Sequence, residues 1–175
     1  VPSLPSLAKI NGVIAFTESG VKVNNITARL LDGPFAINSA NSAGTVDGSV
    51  RLLAVGKIDL DNLHSHSRDG ITHAPQPWMQ YLRGNADWRA AIHINKKLVD
   101  ISAESTLRGL ASDLPEPFSK AAADAALLRL ERKTVSPERD RLVVTYGNVI
   151  AATINRSRDG SGNFHAETGD VTLGT

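Results

Sequence analysis

The chain of 175 residues carries 19 Lys and Arg, 18 Asp and Glu and no Cys, which leaves a formal net charge of +1. This near-neutral charge argues against a dedicated nucleic-acid-binding domain, which needs a basic surface, and the absence of Cys excludes disulfides, thiol chemistry and Cys-ligated zinc. With 41% hydrophobic and 21% charged residues, the composition predicts a packed core rather than global disorder.

Residues 1–58 show the alternation of apolar and polar side chains that is typical of β-strands. The pattern predicts strands at 10–16, 21–30, 35–38 and 45–57, separated by turns rich in Gly, Asn and Asp. The alternation changes phase near Asn24 and Asn25, which predicts a β-bulge. We therefore interpret residues 1–58 as a first antiparallel β-meander with one polar face.

Residues 59–82 are more polar and are predicted to form a connector with short helical turns. The pattern predicts a helical turn at 59–63, a Gly- and Pro-containing loop at 64–77 and a short helix at 77–82 that begins with Pro. The connector would separate the first meander from the rest of the chain.

Residues 83–175 return to the alternation and are interpreted as a second β-rich segment. The predicted strands lie at 87–95, 97–105, 128–133, 141–146 and 149–156, and a further strand begins at Phe164. Between them, the Ala-rich stretch 119–126 predicts a short helix. The expected fold class is mainly β, with curved antiparallel sheets of alternating strands and one or two short helices, and an open groove would fit the same pattern.

The chain contains no predicted membrane span. No stretch approaches the roughly 18 to 20 apolar residues of a membrane-spanning helix, and no signal peptide is recognisable. The chain begins with Val1 instead of Met and ends within an alternating run. We therefore expect it to be one section of a longer protein.

The histidines of the connector are the first candidates for chemistry. His64, His66 and His73, with Asp69 nearby, could bind a metal ion or serve a hydrolase. They lie in a polar loop without a His-Glu-x-x-His motif, so a solvated loop explains them as well. The chain also lacks a Gly-x-Ser-x-Gly nucleophile motif. We therefore predict a protein that is not an enzyme and that has no metal or cofactor.

Two short basic stretches, 129–133 and 139–141, fall in the second segment. A basic rim at these positions could bind anionic lipid headgroups. The alternative is that these charges occupy a solvated strand face and bind no ligand.

Several stretches resemble a known family. The residues INGVIAF at 10–16, ARLLDGPF at 28–35, LRGNADW at 82–88 and LRGLASDLPEPFSK at 107–120 are similar to the YhdP proteins, an AsmA-like group of Gram-negative bacteria. The resemblance covers about residues 8–156, and its most specific part is the stretch 107–120.

The resemblance implies a β-rich periplasmic protein that is tethered to the inner membrane by a helix outside this chain. Such proteins are expected to form an apolar groove along which phospholipid acyl chains move between the two membranes, and to support the barrier of the outer membrane. The resemblance implies no catalytic residues and no cofactor. The expected partners are phospholipid acyl chains and flanking segments of the same chain.

A groove for acyl chains needs one continuous apolar sheet face, which alternating strands can supply. The candidate lipid-facing residues are Val46, Val50, Leu52, Trp88, Ile92, Ile94, Val99, Ile101, Leu142 and Val144. The same residues would equally form an ordinary core. The alternative function is a β-rich envelope module that binds a protein or glycan through a strand edge.

Overall fold

A computed structural model describes residues 7–17, 20–30, 33–40, 49–61, 77–96 and 98–174. Within these residues the chain forms eleven β-strands and a 3₁₀ helix at Pro77–Tyr81. The strands are β1 (Leu7–Thr17), β2 (Gly20–Leu30), β3 (Gly33–Ser39), β4 (Val50–Asp59), β5 (Leu82–Asn95), β6 (Leu98–Ser105), β7 (Leu110–Ser112), β8 (Leu128–Ser136), β9 (Arg139–Tyr146), β10 (Ile150–Arg158) and β11 (Phe164–Leu173). The mainly β fold class predicted from the alternation is confirmed.

The strands form one open antiparallel sheet in the order β1-β2-β3-β4-β5-β6-β8-β9-β10-β11, while β7 pairs with the beginning of β5. Most neighbours in the sheet are also neighbours in sequence, as in a meander. Strand β4 pairs with β5 from Val50↔Ile94 to Asp59↔Asn85. The strands on either side of the predicted connector therefore belong to the same sheet.

The predicted phase change near Asn24 and Asn25 corresponds to an irregularity between β1 and β2. Asn25 has a φ of 46°, a conformation that asparagine tolerates better than most residues. Its backbone N–H donates to the side-chain oxygen of Asn38 at 2.8 Å. The pairing of β1 with β2 shifts register between Asn11 and Val13, which lie opposite this part of β2. The irregularity allows Val23 and Ala28, which flank it, both to be buried.

A small buried core lies at the end of the sheet where β4 ends and β5 begins. The predicted short helix at 77–82 is confirmed as the 3₁₀ helix, and it contributes one core residue. Of the described residues in the predicted turn at 59–63, Leu60 and Asp61 are helical, whereas Asp59 ends β4. The buried residues of this cluster are Leu60, Met79, Ala86 and Leu110, against which Ile58, Leu82 and Leu107 pack.

The predicted helix at 119–126 is wrong, because this stretch consists of turns and irregular backbone. Its backbone groups form hydrogen bonds with β7 and with the turn that precedes β7. Ser112 and Lys120 exchange two backbone hydrogen bonds of 2.9 and 3.0 Å, and the Gly109 N–H donates to the Ala122 carbonyl oxygen at 2.7 Å. Lys120 Nζ donates to three backbone carbonyl oxygens, including that of Leu110. These tertiary hydrogen bonds outweigh the modest helix propensity of so short a stretch.

The residues LRGL at 107–110 turn the chain back onto β5. The turn contains two positive φ angles, 50° at Leu107 and 94° at Gly109. A Cβ on Gly109 would lie 2.5 Å from the backbone oxygen of Asn85. Only glycine therefore allows the chain to approach β5 this closely.

We expect Gly109→Ala to lower the free energy of unfolding by about 3 kcal/mol, because the methyl group would clash with the Asn85 oxygen and would disfavour the positive φ. The matched control is Gly147→Ala, where φ is 52° but no heavy atom lies within 4 Å of a new Cβ. The control should lose about 1 kcal/mol. Urea denaturation measures both losses, and equal values would contradict the steric argument.

Candidate functional site

One face of the sheet is apolar across β4, β5 and β6. Residues that are directly opposite in an antiparallel pair project from the same face, and residues two apart on one strand do so as well. The relevant cross-strand pairs are Val50↔Ile94, Leu52↔Ile92, Ile92↔Ile101 and Ile94↔Val99. Six of the candidate residues therefore share one face.

The same face continues across β8 to β11. One row of cross-strand partners consists of Ala103, Leu130, Val144, Ala152 and Val171, and the next consists of Ile101, Arg132, Leu142, Ile154 and Gly169. Trp88 joins this face opposite Gly56. We call the whole surface the apolar face. It contains nine of the ten candidates, and the tenth, Val46, lies outside the described residues.

No second sheet covers the apolar face within the part of the chain that the structure describes. All nine described candidates are half-buried, because their neighbours in the sheet cover them only partly. At the β11 edge, Val171 and Leu173 are 64% and 67% exposed. A contiguous apolar surface that remains accessible commonly marks a contact with a ligand, a partner or a membrane.

Trp88 and Phe35 form an aromatic pair on the apolar face, with ring centroids 5.6 Å apart. Gly56 lies between their strands, and a Cβ there would come within 2.3 Å of the Phe35 Cβ. Glycine thus makes room for the pair. The Trp88 indole Nε1 is buried and has no hydrogen-bond partner among the described residues.

We expect Trp88→Phe to change the free energy of unfolding by less than about 1 kcal/mol, because the lost N–H makes no hydrogen bond and the aromatic packing is kept. Trp88→Ala should cost about 2 kcal/mol, since it removes the packing with Phe35 from a half-buried site. Chemical denaturation compares the two variants. A larger loss for Trp88→Phe would reveal that the indole N–H contributes to stability.

The opposite surface of the sheet, the polar face, carries charged side chains. Glu104 accepts a hydrogen bond of 2.6 Å from Arg89 Nε and lies 3.4 Å from Arg129 Nε. The hydrogen bond from Arg89, supported by the charges of Arg89 and Arg129, lowers the pKa of Glu104 although desolvation opposes the shift. Leu53 and Val55 on this face are 51% and 58% exposed.

Open recesses lie mainly on the polar face. One, of about 580 Å³, is bordered by Leu53 and Val55 together with Arg89, Glu104 and Glu131. Its charged walls would have to lose hydration to accept an acyl chain, which is unfavourable. The apolar face is therefore the better surface for an apolar ligand, and it is an extended surface rather than an enclosed pocket.

A cluster of charges interrupts the apolar face near the β8–β9 and β10–β11 turns. The Asp140 side chain is 0% exposed. Arg156 binds it with two hydrogen bonds of 2.8 and 2.7 Å, and Arg132 Nε binds it at 2.7 Å. The guanidinium carbons of Arg132, Arg156 and Arg158 lie 5.6, 5.3 and 4.9 Å from the centroid of the Phe164 ring. We call these five residues the arginine cluster.

The charge of Asp140 is stabilised by its two arginines. Burial alone would raise the pKa of Asp140, but the hydrogen bonds and charges of Arg156 and Arg132 outweigh it, so that the pKa lies below the usual 3.8. The carboxylate is therefore ionised at neutral pH. It orients both guanidinium groups toward the apolar face.

The basic stretches predicted at 129–133 and 139–141 are divided between the two faces. Arg132 and Asp140 belong to the apolar face, whereas Arg129 and Arg141 project from the polar face. Arg156, Arg158 and Phe164 are not among the candidate residues predicted from the sequence. A signal for them exists, because Ile154, Arg156 and Arg158 continue one alternation.

The histidine candidates His64, His66 and His73, with Asp69, lie outside the described residues. In the described ranges, no group of three His, Asp or Glu side chains is close enough to hold a metal ion. His93 lies on the polar face. His165 Nε2 lies 3.1 Å from the Ser157 hydroxyl.

The family model described as YhdP protein matches residues 2–175. No curated protein and no solved structure matches the chain. Among the described residues, no helix has the length and apolar character needed to cross a membrane.

Proposed function

The chain belongs to the YhdP family, and we propose that it is a non-enzymatic, lipid-binding section of a bacterial envelope protein. In this proposal the protein lies in the periplasm and is tethered to the inner membrane by a segment outside this chain. The apolar face contacts phospholipid acyl chains as they move between the inner and outer membranes. This transport supports the barrier of the outer membrane.

The continuity of the apolar face is the observation that carries the proposal. An apolar side chain occupies this face on each successive strand from Val50 on β4 to Val171 on β11. Each CH₂ group that leaves water contributes about 0.8 kcal/mol, so burial of about ten such groups contributes about 8 kcal/mol before the costs of association. An open sheet face can therefore contribute to the binding of an acyl chain without an enclosed pocket.

Native mass spectrometry of the gently purified chain tests this function. We expect a phospholipid adduct, and we expect the lipid-free chain to take up a fluorescently labelled phospholipid. A spectrum free of lipid, together with no uptake of the labelled phospholipid, would contradict the proposal.

The exposed strand β11 favours a second candidate function, an envelope module that binds a partner by strand addition. β11 is at one end of the strand order, and all its residues except Phe164 are exposed. A stoichiometric envelope partner that protects the β11 amides from hydrogen exchange would favour this module. A partner that leaves these amides unprotected would count against it.

A further inference from the structure

The positive charges of the arginine cluster exceed the negative charges that face them. Asp140 is shared by Arg132 and Arg156, and Arg158 forms no ion pair within 4 Å among the described residues. The other nearby acids have partners outside the cluster. Glu167 on β11 lies 3.9 Å from a guanidinium nitrogen of Arg139, and two further acids bond within their own turns. Glu138 accepts from Ser136 at 3.3 Å, and Asp159 accepts from the backbone N–H groups of residues 161 and 163 at 2.9 Å. Three guanidinium groups thus face one carboxylate.

The cluster borders apolar side chains directly. Arg132 lies in one cross-strand row with Ile101, Leu142 and Ile154. Its side chain is 26% exposed and that of Arg156 is 27% exposed, so both keep part of their surface accessible. A molecule lying on Leu142 and Ile154 would therefore reach the guanidinium groups with its polar end.

The chemistry of the cluster matches a phosphate group. A guanidinium group carries five N–H donors in a planar fork that suits two phosphate oxygens. Asp140 uses two donors of Arg156 and one of Arg132, which leaves the others available. Phe164 packs against all three guanidinium groups and limits their motion. Binding of an anion would therefore cost less side-chain conformational entropy.

We propose that the arginine cluster binds the phosphate-bearing headgroup of an amphiphile whose acyl chain lies on the neighbouring apolar face. This inference rests on the proposed function. It assigns a preferred class of ligand to the apolar face, and it fixes the orientation of that ligand, with the headgroup at the arginine cluster. The acyl chain supplies the apolar contact. The cluster supplies selectivity for an anionic headgroup.

The test compares the binding of dodecyl phosphate and dodecyl maltoside to the 175-residue chain by titration calorimetry, below their micelle concentrations. The two probes share a dodecyl alkyl chain and differ in headgroup charge. We expect dodecyl phosphate to bind about tenfold more tightly, since charge-assisted hydrogen bonds contribute only to its binding. We expect inorganic phosphate to bind at least about a hundredfold more weakly than dodecyl phosphate, because it lacks the apolar contact.

The variant Arg158→Gln should reduce the preference for dodecyl phosphate about threefold, because it removes one exposed cation that no carboxylate neutralises. The matched control is Arg141→Gln, which removes the same charge from the polar face of β9 and should leave the preference unchanged. If Arg158→Gln does not fold, the comparison of the two probes on the unchanged chain tests the headgroup site by itself.

Three results would overturn the headgroup site. These are equal affinities for the two amphiphiles, equal effects of Arg158→Gln and Arg141→Gln, and binding of inorganic phosphate as tightly as dodecyl phosphate. With equal affinities the proposed lipid-binding function would stand and only the headgroup site would fail. If neither amphiphile binds, the proposed function fails and the headgroup site fails with it.

Discussion

Asp140→Ala is expected to lower the free energy of unfolding by about 3 kcal/mol, because it removes the carboxylate that holds two guanidinium groups in a partly buried site. The expected loss lies at the lower end of the range for broken buried ion pairs, since Arg132 and Arg156 keep about a quarter of their side-chain surface in water. Urea denaturation followed by circular dichroism measures the loss.

The matched control for this substitution is Asp170→Asn, in the exposed strand β11. The control should change the free energy of unfolding by less than about 0.5 kcal/mol, as exposed surface substitutions usually do. Similar losses for Asp140→Ala and Asp170→Asn would contradict the role of the buried carboxylate.

The same carboxylate makes a defined contribution to the pH dependence of stability. Because the pKa of Asp140 is lower in the folded chain than its usual 3.8, the folded state favours the ionised form. Its contribution is complete above the unfolded-state pKa and is lost as the pH falls through the folded-state pKa. The stability difference between the unchanged chain and Asp140→Asn should therefore be constant near neutral pH and shrink below about pH 4. A difference that is constant down to pH 2 would contradict this.

The apolar face could be predicted from the sequence because a strand has a period of two residues. Ile92 and Ile94 must share a face, and the tight turn at Lys96, with its φ of 55°, places Val99 and Ile101 opposite them. The alignment of β8 with β6 could not be predicted in this way. The intervening residues 106–127 contain β7 and irregular backbone, so no short turn fixes the register.

Alternation places Arg156 and Arg158 on one face of β10, but the arginine cluster as a whole could not be predicted because its residues lie on four strands, β8 to β11. In the sequence, Asp140 follows Pro137 in a stretch typical of a turn, where acids are common. A register shift between Thr134 and Ser136 brings Asp140 opposite Thr134 on β8. The regular pairing of β9 with β10 places Asp140 opposite Arg156. Hydrophobic alternation carries no information about such an irregularity. The burial of Asp140 therefore became evident only from the structure.

Ile92→Asp is expected to reduce phospholipid uptake by the chain at least about tenfold, since a carboxylate in the middle of the apolar face would lose hydration on contact with an acyl chain. Ile92 has apolar partners on both sides, Leu52 on β4 and Ile101 on β6. An acyl chain that lies on these three residues would therefore contact the new charge. Uptake of a fluorescently labelled phospholipid measures the effect.

Ala91→Asp is the control, because it places the same charge one residue away, on the exposed polar face. It should leave uptake unchanged. If Ile92→Asp is poorly folded by circular dichroism, Leu130→Asp takes its place, since Leu130 shares the apolar face but is 37% exposed and contributes less to packing. Equal uptake by the apolar-face and polar-face variants would mean that lipid does not contact the apolar face. Loss of uptake only in the apolar-face variants would assign binding to this side of the sheet and separate it from general destabilisation.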